Sequence, residues 1–187
     1  MMKITKFKYI YISICLLAVS PSWAQKLKTE KLNDGKIMVK IPDHFIPMIP
    51  EDIAQRFPSV RKPMAAYTDE GRQSDQTVKI SATQWGDNDQ EIAMQFFKAT
   101  IAEMFDKVDF LKSEIVERKK KKYILIEFVS YSRGSSTQPS ERKYNYIQYY
   151  IKDLKTLVVS FRCPQSLMEM YQPMAEEIMQ TFYVKKL

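Results

Sequence analysis

Apolar positions along the chain follow two periods, and the places where one gives way to the other lay out its elements. Leu157, Val158, Val159 and Phe161 form a β-branched and aromatic run, which predicts a strand buried on both faces. Pro164 has no amide to offer a continuing ladder and ends it. Directly afterwards Leu167, Met170, Tyr171, Met174, Ile178 and Phe182 recur at spacings of three and four, which predicts an amphipathic helix. Ser166 and Glu169 stand at the spacing of an N-cap and its capping-box partner. Pro173, deep inside that pattern, predicts a kink or a split into two segments.

Nearer the start, 36–41 alternates as a strand that Pro42 closes, after the turn signal Asn33-Asp34-Gly35. The segment before it, 25–31, reads as a charged and mobile lead-in. Pro50-Glu51-Asp52-Ile53 opens a short helix within a proline-rich stretch, with acids where a first turn favours them. Strands at 64–68 and 77–85 form a hairpin across the polar segment 69–75. Asp87 or Asn88 then caps the longest helix, which runs to about Lys107. Its expected buried stripe is Ile92, Phe96, Phe97, Ile101, Met104, Phe105 and Val108.

Four strands follow, at 109–117, 123–131, 143–151 and 156–162, with connections short enough to make an antiparallel meander. Ile124, Ile126 and Phe128 point to one face of their strand, Leu125 and Val129 to the other, so a helix layer is expected on each side. The predicted class is α+β: an α/β/α sandwich whose mostly antiparallel sheet is flanked by helices.

Composition adds a compartment. Lys3, Lys6 and Lys8, the apolar run 10–19, and Ser22-Trp23-Ala24 have the three-part form of a secretory signal peptide, with cleavage after Ala24. Cleavage leaves a single domain, 25–187, in the periplasm or outside the cell. It removes three of 29 basic residues and no acids, so 26 stand against 22 and the formal charge falls from +7 to +4. That excess does not call for nucleic acid as a partner. Cys15 leaves with the leader, so Cys163 has no partner for an internal disulfide.

Several local motifs also resemble a known group. Asp34 to Pro42 (DGKIMVKIP), Val158 to Pro164 (VVSFRCP), Tyr171-Gln172-Pro173 and Ile178 to Phe182 (IMQTF) are similar to the PsbP-like fold. That group holds the extrinsic photosystem subunit PsbP, the yeast nuclear-transport factor of the Mog type, and bacterial envelope proteins such as DcrB. The resemblance implies an α/β/α sandwich and a non-enzymatic role in binding or stabilising another protein.

Candidate chemistry is sparse. His44 is the sole histidine and lies in a proline-rich loop, so no triad or zinc set can be assembled around it. Cys163 closes a core strand and reads as a buried, inert thiol. Met168, Met170, Met174 and Met179 read as core filler at helical spacing rather than a Cu(I) site. Glu127 is expected partly buried, paired with Arg142, Lys143 or Arg162. Four glycines offer no phosphate-cradling loop. No catalytic residue, metal or cofactor is predicted.

The expected partner surface therefore rests on two features. Arg118, Lys119, Lys120, Lys121 and Lys122 form a basic tip suited to an acidic partner or an anionic membrane surface. Tyr144, Tyr146 and Tyr150 share a strand face with Gln148, either under a helix or at an interface. The loops at 69–76 and 132–141 complete that surface. The function expected is an exported, non-enzymatic accessory protein that binds a larger envelope complex or partner protein. The alternative is a periplasmic carrier of a small ligand or lipid, with its cavity between the sheet and the C-terminal helix.

Overall fold

The computed structural model describes residues 26–58, 61–134 and 139–185. Strands β1 (Leu27–Leu32), β2 (Ile37–Pro42) and β3 (Ile46–Pro47) lead to helix α1 (Pro50–Arg56). Strands β4 (Ala65–Thr68) and β5 (Asp75–Ile80) precede α2 (Gln90–Met104). The meander is β6 (Lys107–Arg118), β7 (Lys121–Ser132), β8 (Glu141–Lys152) and β9 (Lys155–Pro164). A 3-10 turn, Gln165–Leu167, opens α3 (Met168–Thr181), and β10 (Tyr183–Val184) follows.

Seven strands make one sheet in the order β3-β4-β5-β9-β8-β7-β6, antiparallel throughout. Strands β1, β2 and β10 make a second, smaller sheet. Because strand side chains alternate, each face of the large sheet has its own core. On one face Tyr123, Leu125, Tyr144, Tyr146, Val159 and Phe161 pack against α3 and the small sheet. On the other, Ile124, Ile126, Phe128, Tyr149 and Val158 meet Ala93, Phe97 and Ile101 of α2. The architecture is the expected α+β sandwich with a covered central strand. Among the described residues no helix is long and apolar enough to cross a membrane. The leader predicted over 1–24 lies outside the described residues.

Several elements depart from the sequence expectation, each for a local reason. The charged lead-in is strand β1: Leu27 and Leu32 pack on the core and Lys28 Nζ donates to the Phe45 carbonyl at 3.1 Å. The turn at Asn33-Asp34-Gly35 is a hairpin turn, all three residues with positive φ, and it required a strand on both sides. Asp89, not Asp87 or Asn88, is the N-cap of α2, without a side-chain capping bond. Asp87 instead accepts from the Lys152 ammonium and from the Asp153 amide at 2.8 Å, tying the β8–β9 turn to the start of α2. Leu167 replaces Ser166 at the N-cap of α3, because the 3-10 turn precedes it. Pro173 does not divide α3: it lies on the exposed side, where the carbonyl it leaves unpaired meets water.

The β8–β9 connection is a two-residue turn with Asp153 at φ 51° and Leu154 at φ 58°. Leu154 is 58% exposed and its left-handed backbone is unfavourable for a side chain with a Cβ. Leu154→Gly should therefore raise stability by about 1 kcal/mol, although it deletes an apolar side chain. Urea unfolding of the two proteins measures the difference; a loss of stability would contradict it.

Candidate functional site

Helix α2 determines where the surface opens. It seats a single narrow line, Ala93, Phe97 and Ile101, and packs over β6 and β7. Over the β5 and β9 side of the same face, α2 gives way to the end of α1, where Arg56 and Phe57 reach Asp75 and Arg162. Between the two lies a cleft of about 380 Å³. Its wall is Phe96, Thr100 and Met104 from α2, and its floor is Thr77, Val158 and Ser160. The Thr77 and Ser160 hydroxyls, facing each other across β5 and β9, share a hydrogen bond of 2.7 Å.

The expected stripe on α2 was wider than the line that is buried. Ile92 and Met104 are 67% and 68% exposed and Phe96 is 44% exposed, contrary to their predicted burial. Phe96 stays in contact with Trp85, ring centres 5.3 Å apart, so the rim of the cleft is aromatic.

One end of the cleft is charged. Asp75 is buried, and its Oδ2 accepts from Arg162 Nε at 3.0 Å and Nη2 at 2.6 Å. Arg56 lies 3.8 Å from the same carboxylate and donates through Nη2 to the Arg72 carbonyl at 2.6 Å. Lys79 stands two alternations on from Asp75 along β5, on the other side of Thr77. Desolvation, then repulsion from Arg162, holds its amine below the ordinary lysine value. A polar basin of about 520 Å³ adjoins this end, sharing Arg56, Asp75 and Arg162 and adding Arg72 and Lys143. The loops at 69–76 and 132–141, expected at a contact surface, meet here; residues 135–138 of the second lie outside the described residues. What the arrangement offers is recognition: an apolar wall, and hydroxyls on the floor with cations on either side of them.

The tyrosines are not on a surface. Tyr144 is 0% exposed, and Tyr146 and Tyr150 are buried with it beneath α3 and the small sheet. Alternation placed the three on one face, and that face is the covered one. Gln148, the polar residue that pointed to an interface, is buried too and accepts from Arg118 Nη2 at 2.5 Å. Tyr144 donates to Glu127 at 2.8 Å; burial, and then the carboxylate, push its phenol far above the ordinary tyrosine value. Glu127 also accepts from Gln172 at 2.7 Å, so its partners lie on the α3 side and are none of the three cations expected. The cavity expected beside α3 is filled by these side chains; the open one is on the opposite face.

The basic tip divides. Arg118 turns inward over the Tyr123 ring, 4.4 Å from its centre, and donates through Nη1 to the Met179 carbonyl. Lys121 donates to the Val184 carbonyl and lies over Tyr183. Lys119, Lys120 and Lys122 remain exposed, at the far end of the sheet from the charged end of the cleft. His44 is on the surface, 3.3 Å from the Tyr171 hydroxyl. Cys163 is buried, and desolvation, with Asp69 and Asp75 nearby, pushes its thiol up to about 12.

Arg56 and Lys79 were not singled out from sequence, Asp75 only as part of the loop at 69–76, and Arg162 only as a partner for Glu127. A signal was present: Asp75, Thr77 and Lys79 are polar at a period of two within a strand, the mark of a face without apolar cover.

No protein-family model and no curated protein sequence matches the chain. Solved structures do. Cyanobacterial PsbP (CyanoP) from Synechocystis sp. PCC 6803 superposes with a TM-score of 0.60 at 11% identity, over 90% of this chain and 98% of that one. The chain has the PsbP/Mog fold. LpqN, involved in cell envelope biogenesis of Mycobacterium tuberculosis, shares it at a TM-score of 0.55 and 8% identity, over 86% and 91% of the two chains. The Ran-binding protein Mog1p of Saccharomyces cerevisiae shares it at 0.54 and 16%, over 87% and 97%. At these identities the PsbP/Mog likeness is one of fold.

Proposed function

We propose that the chain is an exported, non-enzymatic accessory protein of the cell envelope, and that what it binds sits in the cleft beside α2. Of the two forms expected from sequence, the carrier of a small ligand or lipid is the better supported, with the envelope complex as the partner it serves. The observation behind this is the half-covered sheet face walled by exposed Phe96 and Met104. Apolar side chains gathered on a concave rim are the usual form of a binding groove. A volume of about 380 Å³ falls in the small-ligand range of roughly 300–1,000 Å³.

The leader-like segment supports export, and the exposed Lys119, Lys120 and Lys122 suit an anionic membrane surface. Among proteins of the same fold one is Ran-binding and one is involved in cell envelope biogenesis, which agrees with a role in binding.

Native mass spectrometry of the mature protein, residues 25–187, released from its own envelope tests the reading. A retained small molecule is expected, absent from Thr100→Trp, which fills the cleft from its wall. No retained molecule, or one kept equally by the variant, would overturn it.

A further inference from the structure

The charged residues lining the cleft are Arg56, Lys79, Arg162 and Asp75. We infer that the cleft takes a single-chain anionic amphiphile, its apolar chain against α2 and its anionic head between Lys79 and Arg162. The inference rests on the reading that the cleft is the binding site, and it names the class of occupant.

The argument is one of charge and shape. Three cations against one carboxylate leave two positive charges uncompensated beside an apolar wall. Asp75 is committed: both Arg162 nitrogens bond its one oxygen, and Arg56 stands behind it. Lys79 makes no ion pair among the described residues, and it is exposed where the floor of the cleft meets solvent. An anion seated between cations at the edge of an apolar wall gains more than it would beside the same cations in bulk water. A neutral ligand leaves those cations unpaired and a cationic one is repelled. The floor hydroxyls of Thr77 and Ser160, which lie between Lys79 and Arg162, bond one another. A space of about 380 Å³ suits one aliphatic chain, whereas a docked helix about 10 Å across needs more.

Trp85, in contact with the rim through Phe96, is the sole tryptophan once Trp23 leaves with the leader, and reports occupancy. The test titrates the mature protein with dodecanoate, dodecanol and dodecyltrimethylammonium, each below its micelle threshold, following Trp85 fluorescence. Dodecanoate should bind about tenfold more tightly than dodecanol, as expected of one added charge-assisted contact, with the cation weakest. Lys79→Glu, outside both cores, should remove that preference, bringing dodecanoate to or below the affinity of dodecanol. Thr100→Phe should weaken all three. Equal binding of dodecanoate and dodecanol, or no effect of Lys79→Glu, overturns the anion while leaving the cleft as the site. Binding of none of the three overturns the amphiphile. Native mass spectrometry then shows separately whether the cleft holds another ligand.

Discussion

Replacing Phe97 with alanine should cost about 4 kcal/mol, within the range for deleting a buried aromatic ring. For a domain of this size that lowers the melting temperature by roughly 10 °C. The effect is large because α2 has so little else to hold it. Its buried residues are Gln90, Ala93, Phe97 and Ile101, and Phe97 is the one aromatic ring among them. That ring stacks on Tyr149 at 4.0 Å, nearly parallel, and meets Trp85 edge-on at 6.0 Å. The neighbouring Phe96→Ala should cost less than half as much, since its ring is 44% exposed, and should weaken ligand binding instead. Urea unfolding followed by circular dichroism compares the two variants. Equal losses would mean that α2 is seated on a different line, and the cleft would have to be redrawn.

The second large effect belongs to Arg118, which was expected in a solvated tip. Arg118→Ala should cost about 3 kcal/mol, because it removes charged hydrogen bonds and a cation–ring contact together. The guanidinium reaches from the end of β6 to the Met179 carbonyl, in the last turn of α3, and to Gln148 on β8. It thus supplies a donor and a positive charge where a helix C-terminus needs both. Removing it takes away the Gln148 Oε1 partner, and Gln148 Nε2 already has none among the described residues. Arg118→Lys should recover little, for an ammonium cannot span two acceptors in the plane of the fork. Lys120→Ala, two residues away and exposed, should be neutral. Thermal unfolding of the three variants checks this; equal stability of Arg118→Ala and Lys120→Ala would contradict the inward reading.

What was legible in the sequence, and what was not, follows from the physics of each signal. The meander and the two longer helices, α2 and α3, were legible because strand and helix patterns persist over long runs, as in Tyr123 to Phe128 and Leu167 to Phe182. Strand β1 was missed because LKTEKL alternates poorly; its burial comes from pairing with β2, which is not a local property. Alternation correctly grouped Tyr144, Tyr146 and Tyr150, yet what covers a face depends on which side the chain places α3 and the small sheet. The apolar stripe on α2 named Ile92, Phe96 and Met104 as core because a pattern gives the width of a stripe, not how much of it a neighbour occupies. The cleft exists in that difference. Its cations were invisible singly, since Arg56, Lys79 and Arg162 come together only through the pairing of β5 with β9 and the position of α1.

The central claim is that the cleft beside α2 is where this protein binds. A photo-reactive amino acid placed at Met104 on the cleft rim, and separately at Lys120 on the far tip, tests it most directly in cells making the full chain. The account predicts a mass adduct at Met104 that disappears in the Thr100→Trp background, and none at Lys120 beyond bulk lipid. An adduct at Lys120 alone, with Met104 bare, would contradict it and move the site to the opposite end of the sheet.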